Sequence, residues 1–423
     1  MAEDLINEVN IPEGGRKSLI TIVGVGGAGG NAVNYMHTVG IEGVTFMVCN
    51  TDRQALNISP VEVKIQLGLD GLGAGNDPVR GRDAANTSLD EVRQQLESMG
   101  TKMMFIAAGM GGGTGTGASP VIAKLAHDMG ILTVAIVTLP FVVEGMTRYE
   151  QAMKGIEELR EWVDSLLILN NNNLVDLYGR MSLRQAFDKA NDVLANAAKG
   201  IAEIITVPYD EVNIDFADVR RVLENSGRSH MGVATASGDN RVEEAVEEAL
   251  KSPLLDNRHI SGAKNILLSI RSGADARHTL TEVYQVVACV QKYASHQKNR
   301  ATANIIWGSG TKPSLGNSLE VVIVATGFDP SEPASDEDGI AVALPQTVGK
   351  EGKKEKEPTF GNERDHVIPS RNGSRYDAVS EELATPAYSR RKMLPYDSDV
   401  RGTVRRESAR DTAAEPQNEN SLF

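Results

Sequence analysis

Two glycine-rich turns dominate the chemistry that this sequence can perform. Gly24-Val-Gly-Gly-Ala-Gly-Gly-Asn31 and Gly111-Gly-Gly-Thr-Gly-Thr-Gly117 each follow an apolar, β-rich run and precede a stretch of small helix-forming residues. Glycine lets the backbone come close to a ligand, and the free amides and dipole of a helix start attract anions. Both turns are therefore predicted to cradle phosphate in one pocket. The first holds a G-x-G-x-x-G at Gly24, Gly26 and Gly29, which is also a dinucleotide fingerprint. A Rossmann enzyme would close its second strand with an acid for the ribose. Here that strand ends Cys49-Asn50-Thr51-Asp52, so only Asp52 keeps a nicotinamide-dependent oxidoreductase open. The second turn lacks the Gly-Lys-Ser/Thr of a P-loop, which leaves backbone amides and threonine hydroxyls to meet the phosphates.

Three spaced pairs add candidates. Glu144 and Arg148 stand four apart, the spacing of a surface ion pair on a helix. Phe187 and Asn191 share one helix face, where a ring can stack on a base while the Asn amide or the neighbouring Asp192 carboxylate bonds its edge; Phe187 fits a core position equally well. Asp215 and Asp218 lie three apart at the start of a predicted helix, preceded by Asn213, and acids in that place also serve as helix caps.

The elements that must position these residues follow from periodicity. Runs at 19–25, 44–50, 103–109 and 131–139, separated by small or amphipathic segments, describe an α/β fold with a largely parallel sheet. Leu183, Phe187, Ala190, Leu194, Ala197, Ile201 and Ile204 form one apolar stripe and predict a long central helix over Ser182–Thr206. Helices near Ala217–Glu224, Arg241–Lys251 and Thr279–Ala294, with strands at 265–273, 303–310 and 318–328, predict a second, smaller α/β domain. From about Asp329 the composition turns polar and charged, which predicts a flexible tail. The expected divisions are a flexible amino terminus at 1–16, a nucleotide-binding domain at 17–181, a central helix at 182–210, a C-terminal domain at 211–328 and the tail at 329–423.

Composition excludes several classes. The chain of 423 residues carries 43 Lys and Arg against 57 Asp and Glu, a net charge of −14, which argues against a nucleic-acid surface. The longest apolar run, Ile131–Val143, is too short and too interrupted to span a bilayer, and the amino terminus does not read as a signal peptide. A cytosolic location without membrane insertion is expected. Cys49 and Cys289 show no metal-ligand spacing and predict two buried thiols.

The glycine run at 111–117, at its strand-to-helix junction, resembles the signature loop of the tubulin/FtsZ family. The resemblance extends from about Leu19 to Phe328 through Asn50-Thr-Asp52, Gly71-Leu-Gly-Ala-Gly75, Phe141-x-x-Glu-Gly145, Ala186-Phe-x-x-Ala-Asn-Asp192 and Asn213-Ile-Asp-Phe-Ala-Asp218. The short chain with its disordered tail is similar to the bacterial branch rather than to eukaryotic tubulin. The resemblance implies a GTPase that assembles head to tail into filaments forming the division ring at mid-cell. It implies phosphate contacts from Gly27, Ala28, Gly29, Gly30 and Asn31, and from Gly112, Gly113, Thr114, Gly115 and Thr116 around the β and γ groups. Asn50 and Gly73, Ala74 and Gly75 complete that rim. Glu144 is expected on the ribose, Arg148 toward the phosphates, and Phe187, Asn191 and Asp192 at guanine. Asn170-Asn-Asn-Asn173 replaces the family's Pro-Asn-Asp-Lys-like segment; Asn171 matches the family Asn, while Asn172 and Asn173 stay outside the site.

In this family the loop equivalent to Asn213, Asp215 and Asp218 enters the pocket of the next subunit and polarises the water that attacks the γ-phosphate, so GTP turnover requires assembly. Mg²⁺ is expected on phosphate oxygens and water. The tail segment Glu381–Lys392 resembles the peptide that binds membrane tethers and other division proteins, although Ser389 stands where the family tends to carry Leu; an arbitrary Pro-Tyr-Arg stretch is the plain alternative. A non-hydrolysing scaffold that holds nucleotide only for structure is the remaining rival.

Overall fold

The computed structural model describes residues 18–173, 181–251, 260–294 and 303–328, apart from the side chain of Leu183. The expected flexible amino terminus and the tail, with its segment 381–392, lie outside them. The described strands form a ten-stranded sheet in the order β3-β2-β1-β4-β5-β6-β7-β10-β8-β9. They are β1 (Ile20–Val25), β2 (Val44–Asn50), β3 (Val63–Gln66), β4 (Met103–Gly109), β5 (Leu132–Leu139), β6 (Ser165–Asn170), β7 (Gly227–Ser237), β8 (Asn265–Ser272), β9 (Asn304–Thr311) and β10 (Ser318–Thr326). Pairing from β3 to β7 is parallel, and β10 runs antiparallel to both β7 and β8.

Burial on both faces explains the continuous apolar runs of the first strands. Ile20, Ile22, Met103 and Phe105 pack on one side, while Val23, Val25, Met104 and Ile106 pack on the other. The first side is covered by α1 (Gly26–Val39) and the central helix α7 (Leu183–Thr206). The second is covered by α4 (Leu89–Met99), α5 (Gly113–Asp128) and α6 (Met146–Arg160), with α3 (Pro78–Thr87) lying against α5. A third apolar cluster lies under α9 (Arg241–Leu250) and α10 (Leu280–Ala294). The first six strands join the remainder of the sheet at β6 and β7, where Ser165 faces Gly227 and Leu166 faces Arg228.

The central helix begins on a capping box: the Ser182 hydroxyl accepts from Gln185 N, and Gln185 Oε1 accepts from Ser182 N at 2.9 Å. Its predicted stripe is buried from Ala190 through Leu194, Ala197, Ile201 and Ile204, but Phe187 is exposed and does not belong to the core. Nineteen residues separate Phe187 from Thr206, about 28 Å at 1.5 Å per residue. At one end Phe187 meets Phe141, just beyond β5, with ring centroids 5.5 Å apart. At the other, Thr206 packs against Gly43, just before β2. The helix thus crosses the sheet from its carboxyl edge to its amino edge.

The thiols are less alike than their composition suggested. Cys49 is fully enclosed, and burial pushes its thiol up to about 12, whereas Cys289 on α10 is only half-buried. His230 on β7 is enclosed against Phe328, and burial, with the Arg228 charge adding to it, pulls its imidazole down from 6.5 to about 4. Between those values the unfolded chain takes up a proton that the folded chain refuses, so stability falls as pH drops from 6.5 toward 4. The loss approaches about 3 kcal/mol, and thermal unfolding across that window should show a falling midpoint that His230→Gln flattens.

Candidate functional site

Both glycine turns lie at the carboxyl edge of the sheet, where β1 passes into α1 and β4 into α5. Gly26 adopts φ of +73°, which favours glycine, and a Cβ there would stand 2.8 Å from Gly115 N. The two loops are therefore in direct contact and form one cradle. Gly29 crosses over β4 so closely that a Cβ would meet Ala107 O at 2.1 Å, and one on Gly115 would meet Gly109 O at 2.3 Å. Gly27, Gly30 and Gly112 instead have open space before them. Ala28 packs on Gly109, and Asn31 is exposed one turn into α1.

The two helices that start here differ from α2 (Arg53–Ile58), α3 and α7, whereas α6, which begins after Gly145, is uncapped as they are. Neither α1 nor α5 has a side-chain cap or an acid in its first turn. By contrast, Asp52 caps α2, Asp77 caps α3 and Ser182 caps α7. Uncapped first-turn amides at two adjoining helix starts offer unsatisfied donors and positive dipole ends to one anion. The Asp52 carboxylate, in accepting from Gln54 N and Ala55 N, is occupied as a helix cap, and the oxidoreductase reading loses its ribose acid.

The threonines of the second loop hold it together. Thr116 Oγ1 accepts from Gly111 N at 2.8 Å, which leaves its own O–H to donate, and Thr114 Oγ1 lies 2.6 Å from Thr51 Oγ1. Both threonines are buried. The Thr114–Thr51 contact ties the second loop to the Asn50–Asp52 run. Asn50 is buried and accepts from Asp52 N at 3.2 Å. Its neighbours Gly26, Gly27, Gly30, Asn31, Asn34 and Ser59 line a hollow beside α1. The Gly73–Gly75 turn reaches the same cradle, because Ala74 and Asp77 close on Gly113 within 2.8 Å of where its Cβ would stand.

On the far rim, Glu144 binds Arg148 at 2.6 Å and accepts from Phe141 N at 2.9 Å. This is the surface ion pair anticipated from their spacing, and it brings both side chains to the loop after β5. Asn171 is buried, and among the described residues its Oδ1 has no hydrogen-bond partner. Asn172, left out of the site, accepts from Val142 N at 2.9 Å and so braces that loop. The exposed edge of Phe187 and the half-buried Asn191 follow on α7. Asp192, expected at the base, is tied into the protein. Its carboxylate accepts from Tyr35 of α1 and from Lys189 Nζ at 2.8 Å. Burial works to raise that carboxyl, but the hydrogen bonds from Lys189 and Tyr35 outweigh it and hold it below its usual range.

The acidic pair lies elsewhere. Asp215 caps α8 (Phe216–Leu223): its Oδ1 accepts from Asp218 N at 2.8 Å, and Asp218 Oδ2 accepts from Asp215 N at 3.2 Å. Asn213 and Asp215 are exposed and Asp218 is half-buried. The other end of α8 is fastened to the amino edge of the sheet, Arg220 reaching Gly130 O before β5 and Asn225 N reaching Asp164 Oδ1 before β6. The acids follow the distal end of the central helix, so the fold does not bring them to the chain's own glycine cradle.

Family comparison agrees with this architecture. Residues 19–179 match the model of the tubulin/FtsZ family GTPase domain, and 227–329 match the FtsZ family C-terminal domain. A cell division protein FtsZ of Coxiella burnetii is 45% identical over 73% of this chain and 78% of its own length. One from Wigglesworthia glossinidia brevipalpis is 41% identical over 88% of this chain and 96% of its own. The chain belongs to the FtsZ family. As an FtsZ-family GTPase it binds guanine nucleotide and hydrolyses GTP. Among solved structures, an empty FtsZ dimer from M. jannaschii is similar with a TM-score of 0.66 and 41% identity, covering 74% of this chain and 89% of that one. CetZ2 from Haloferax volcanii, a GTPγS-bound protofilament, shares the fold at a TM-score of 0.62 and 21% identity, with 74% and 94% covered. Among the described residues, no helix is long and apolar enough to cross a membrane.

Proposed function

We propose that this GTPase assembles head to tail into the filament of the bacterial division ring, and that Asp215 and Asp218 of one subunit complete the nucleotide site of the next. The separation of the acids from the cradle along α7 carries the reading. A pocket on one face and its missing acids on the opposite face make a heterologous contact, which propagates as a filament unless it closes into a ring. Supplying carboxylates only at that contact also keeps negative charge away from bound triphosphate until assembly. The nucleotide-binding half at 17–181, the helix at 182–210 and the C-terminal part at 211–328 then have distinct duties: binding, spacing and delivery.

In this reading Gly27–Asn31 and Gly112–Thr116 hold the phosphates by their amides, with Asn50 and Gly73–Gly75 closing the rim. Glu144 takes the ribose, Arg148 faces the phosphates, Asn171 offers its acceptor, and Phe187 and Asn191 receive guanine. Asp192 acts through Tyr35, fixing α7 against α1. A carboxylate of the incoming loop, with Asn213 beside it, orients water and draws its proton as the oxygen attacks the γ-phosphorus; the bond to the β–γ bridging oxygen breaks, leaving GDP and phosphate. Among the described residues, no group of three or more His, Cys, Asp or Glu could hold a metal. Mg²⁺ would be carried on phosphate oxygens and water, where it would neutralise developing charge. The tail segment 381–392 serves as the adaptor to membrane tethers and other division proteins, which holds the filament at mid-cell on the cytoplasmic side.

Phosphate release measured against protein concentration tests the shared site. Turnover per chain should be near zero below a threshold and rise steeply above it, coincident with light scattering. A rate per chain independent of concentration would overturn the proposal in favour of a site complete within one subunit.

A further inference from the structure

The loop that follows the central helix is tied to the C-terminal strands before it reaches the acidic pair. Arg271 of β8 donates Nη2 to Glu203 O at 2.8 Å and to Val207 O at 3.1 Å, and its guanidinium lies over the Tyr209 ring at 4.5 Å. Asp210 accepts from Thr311 N at 2.7 Å and from Thr311 Oγ1 at 2.9 Å. The next residue, Glu211, accepts from Ser309 Oγ at 2.9 Å and meets His278 Nε2 at 2.8 Å, while Val212 and Ser309 exchange backbone hydrogen bonds at 3.0 Å.

His278 belongs to no step of the chemistry above, yet its ring is almost wholly enclosed, with its side chain 2% exposed against 33% for Glu211. Its Nδ1 lies 2.8 Å from Ser272 Oγ, which itself accepts from His278 N at 3.0 Å. One imidazole thus bridges the Ser272 hydroxyl and the Glu211 carboxylate through its two ring nitrogens. Such a relay is directional. An apolar pair in its place would pack but would not fix where the Glu211 carboxylate, two residues before Asn213 and four before Asp215, is held.

We infer that His278 and Glu211 are positioning residues for GTP hydrolysis: Ser272 and His278 aim Glu211, and Glu211 with Ser309 sets the register of the loop that presents Asp215 and Asp218 to the neighbouring subunit. The inference rests on the shared-site reading. Its effect appears in turnover per assembled subunit rather than in GTP binding, because neither residue approaches the chain's own cradle.

The test compares full-length Glu211→Ala, His278→Ala, the double variant and Glu211→Gln. It measures equilibrium GTP binding, the assembly threshold by sedimentation, and phosphate release per sedimented subunit. Binding and threshold should stay within about twofold of the parent, while turnover falls about tenfold in each alanine variant, in line with the cost of small misplacements in an active site. The double variant should fall no further, since the two residues act as one unit, and Glu211→Gln, which keeps an acceptor, should recover most of the rate. Glu211 is partly exposed, so its substitution tests the inference even where His278→Ala unfolds. Full turnover per assembled subunit in Glu211→Ala overturns the inference, as does an equal loss in Glu211→Ala and Glu211→Gln. If Asp215→Ala and Asp218→Ala lose turnover while Glu211→Ala keeps it, only the positioning role fails. If the aspartate variants also keep it, the shared site itself fails.

Discussion

Asp215→Ala and Asp218→Ala should each lower GTP turnover by a factor of about 10² to 10⁴, the range typical of losing a positioned general base, while leaving GTP affinity unchanged. Affinity should survive because the acids lie beyond the far end of a helix span of about 28 Å from the cradle of their own chain. The two carboxylates cap each other's backbone amides, so each removal also takes a hydrogen bond from the start of α8, worth about 1 kcal/mol. Asparagine replacements separate the effects: they retain capping but cannot accept the water's proton, so they should preserve thermal stability and still lose turnover. Mixing gives a sharper outcome. An Asp218→Ala chain has an intact cradle, and a chain defective in binding GTP has intact acids, so a mixture should recover activity that neither shows alone. Normal turnover in both alanine variants is the result that would end the shared-site account.

Gly29→Ala in the first glycine turn should carry a large cost in stability. The added methyl would stand 2.1 Å from the Ala107 carbonyl oxygen, a backbone atom of a central strand that cannot swing aside as a flexible side chain would. Either α1 lifts from β4 or the strand distorts, and both disturb an interior packed on two faces. A loss of about 3 kcal/mol or more follows from overpacking of this kind, far beyond the fraction regained by restricting the unfolded chain. Gly30→Ala, one residue on, faces open space and should unfold at the parent temperature. Thermal unfolding of both variants without nucleotide checks the contrast, and equal midpoints would contradict it. Any effect of Gly30→Ala should appear in GTP affinity, since its methyl enters the space in front of the cradle.

Much of this architecture was legible because parallel strands covered on both faces write themselves as unbroken apolar runs. Ile20–Val25, Met103–Gly109 and Leu132–Leu139 are of that kind. β3 escaped notice, being a short edge strand whose four residues include Lys64 and Gln66. β7 escaped because Ser229, His230, Gly232 and Thr235 dilute its apolar signal. The glycine cradle was visible since the residue type itself is the signal. What the loops do internally was not, because the Thr51–Thr114 and Tyr35–Asp192 contacts join residues far apart in the chain. Asp52 shows the converse limit. An acid just after a strand is equally suited to a ribose and to a helix start, and only the geometry of Gln54 N and Ala55 N decides between them. Phe187 fell on the apolar stripe by spacing alone, yet its position near the helix start carries it past the edge of the core.

The central helix has a metric consequence. When one subunit's acids enter the next subunit's cradle by pure translation, the repeat of the filament equals the displacement between a subunit's own cradle and its own acids. Of that displacement the span from Phe187 to Thr206 supplies about 28 Å. The capping box at Ser182 and the Arg271 clamp on Glu203 and Val207 hold both ends of that span, so it behaves as a ruler rather than a spring. Filament periodicity is then written in the count of residues between two ends of one helix. Inserting a full turn into it should lengthen the repeat by one helical pitch wherever the filament still forms.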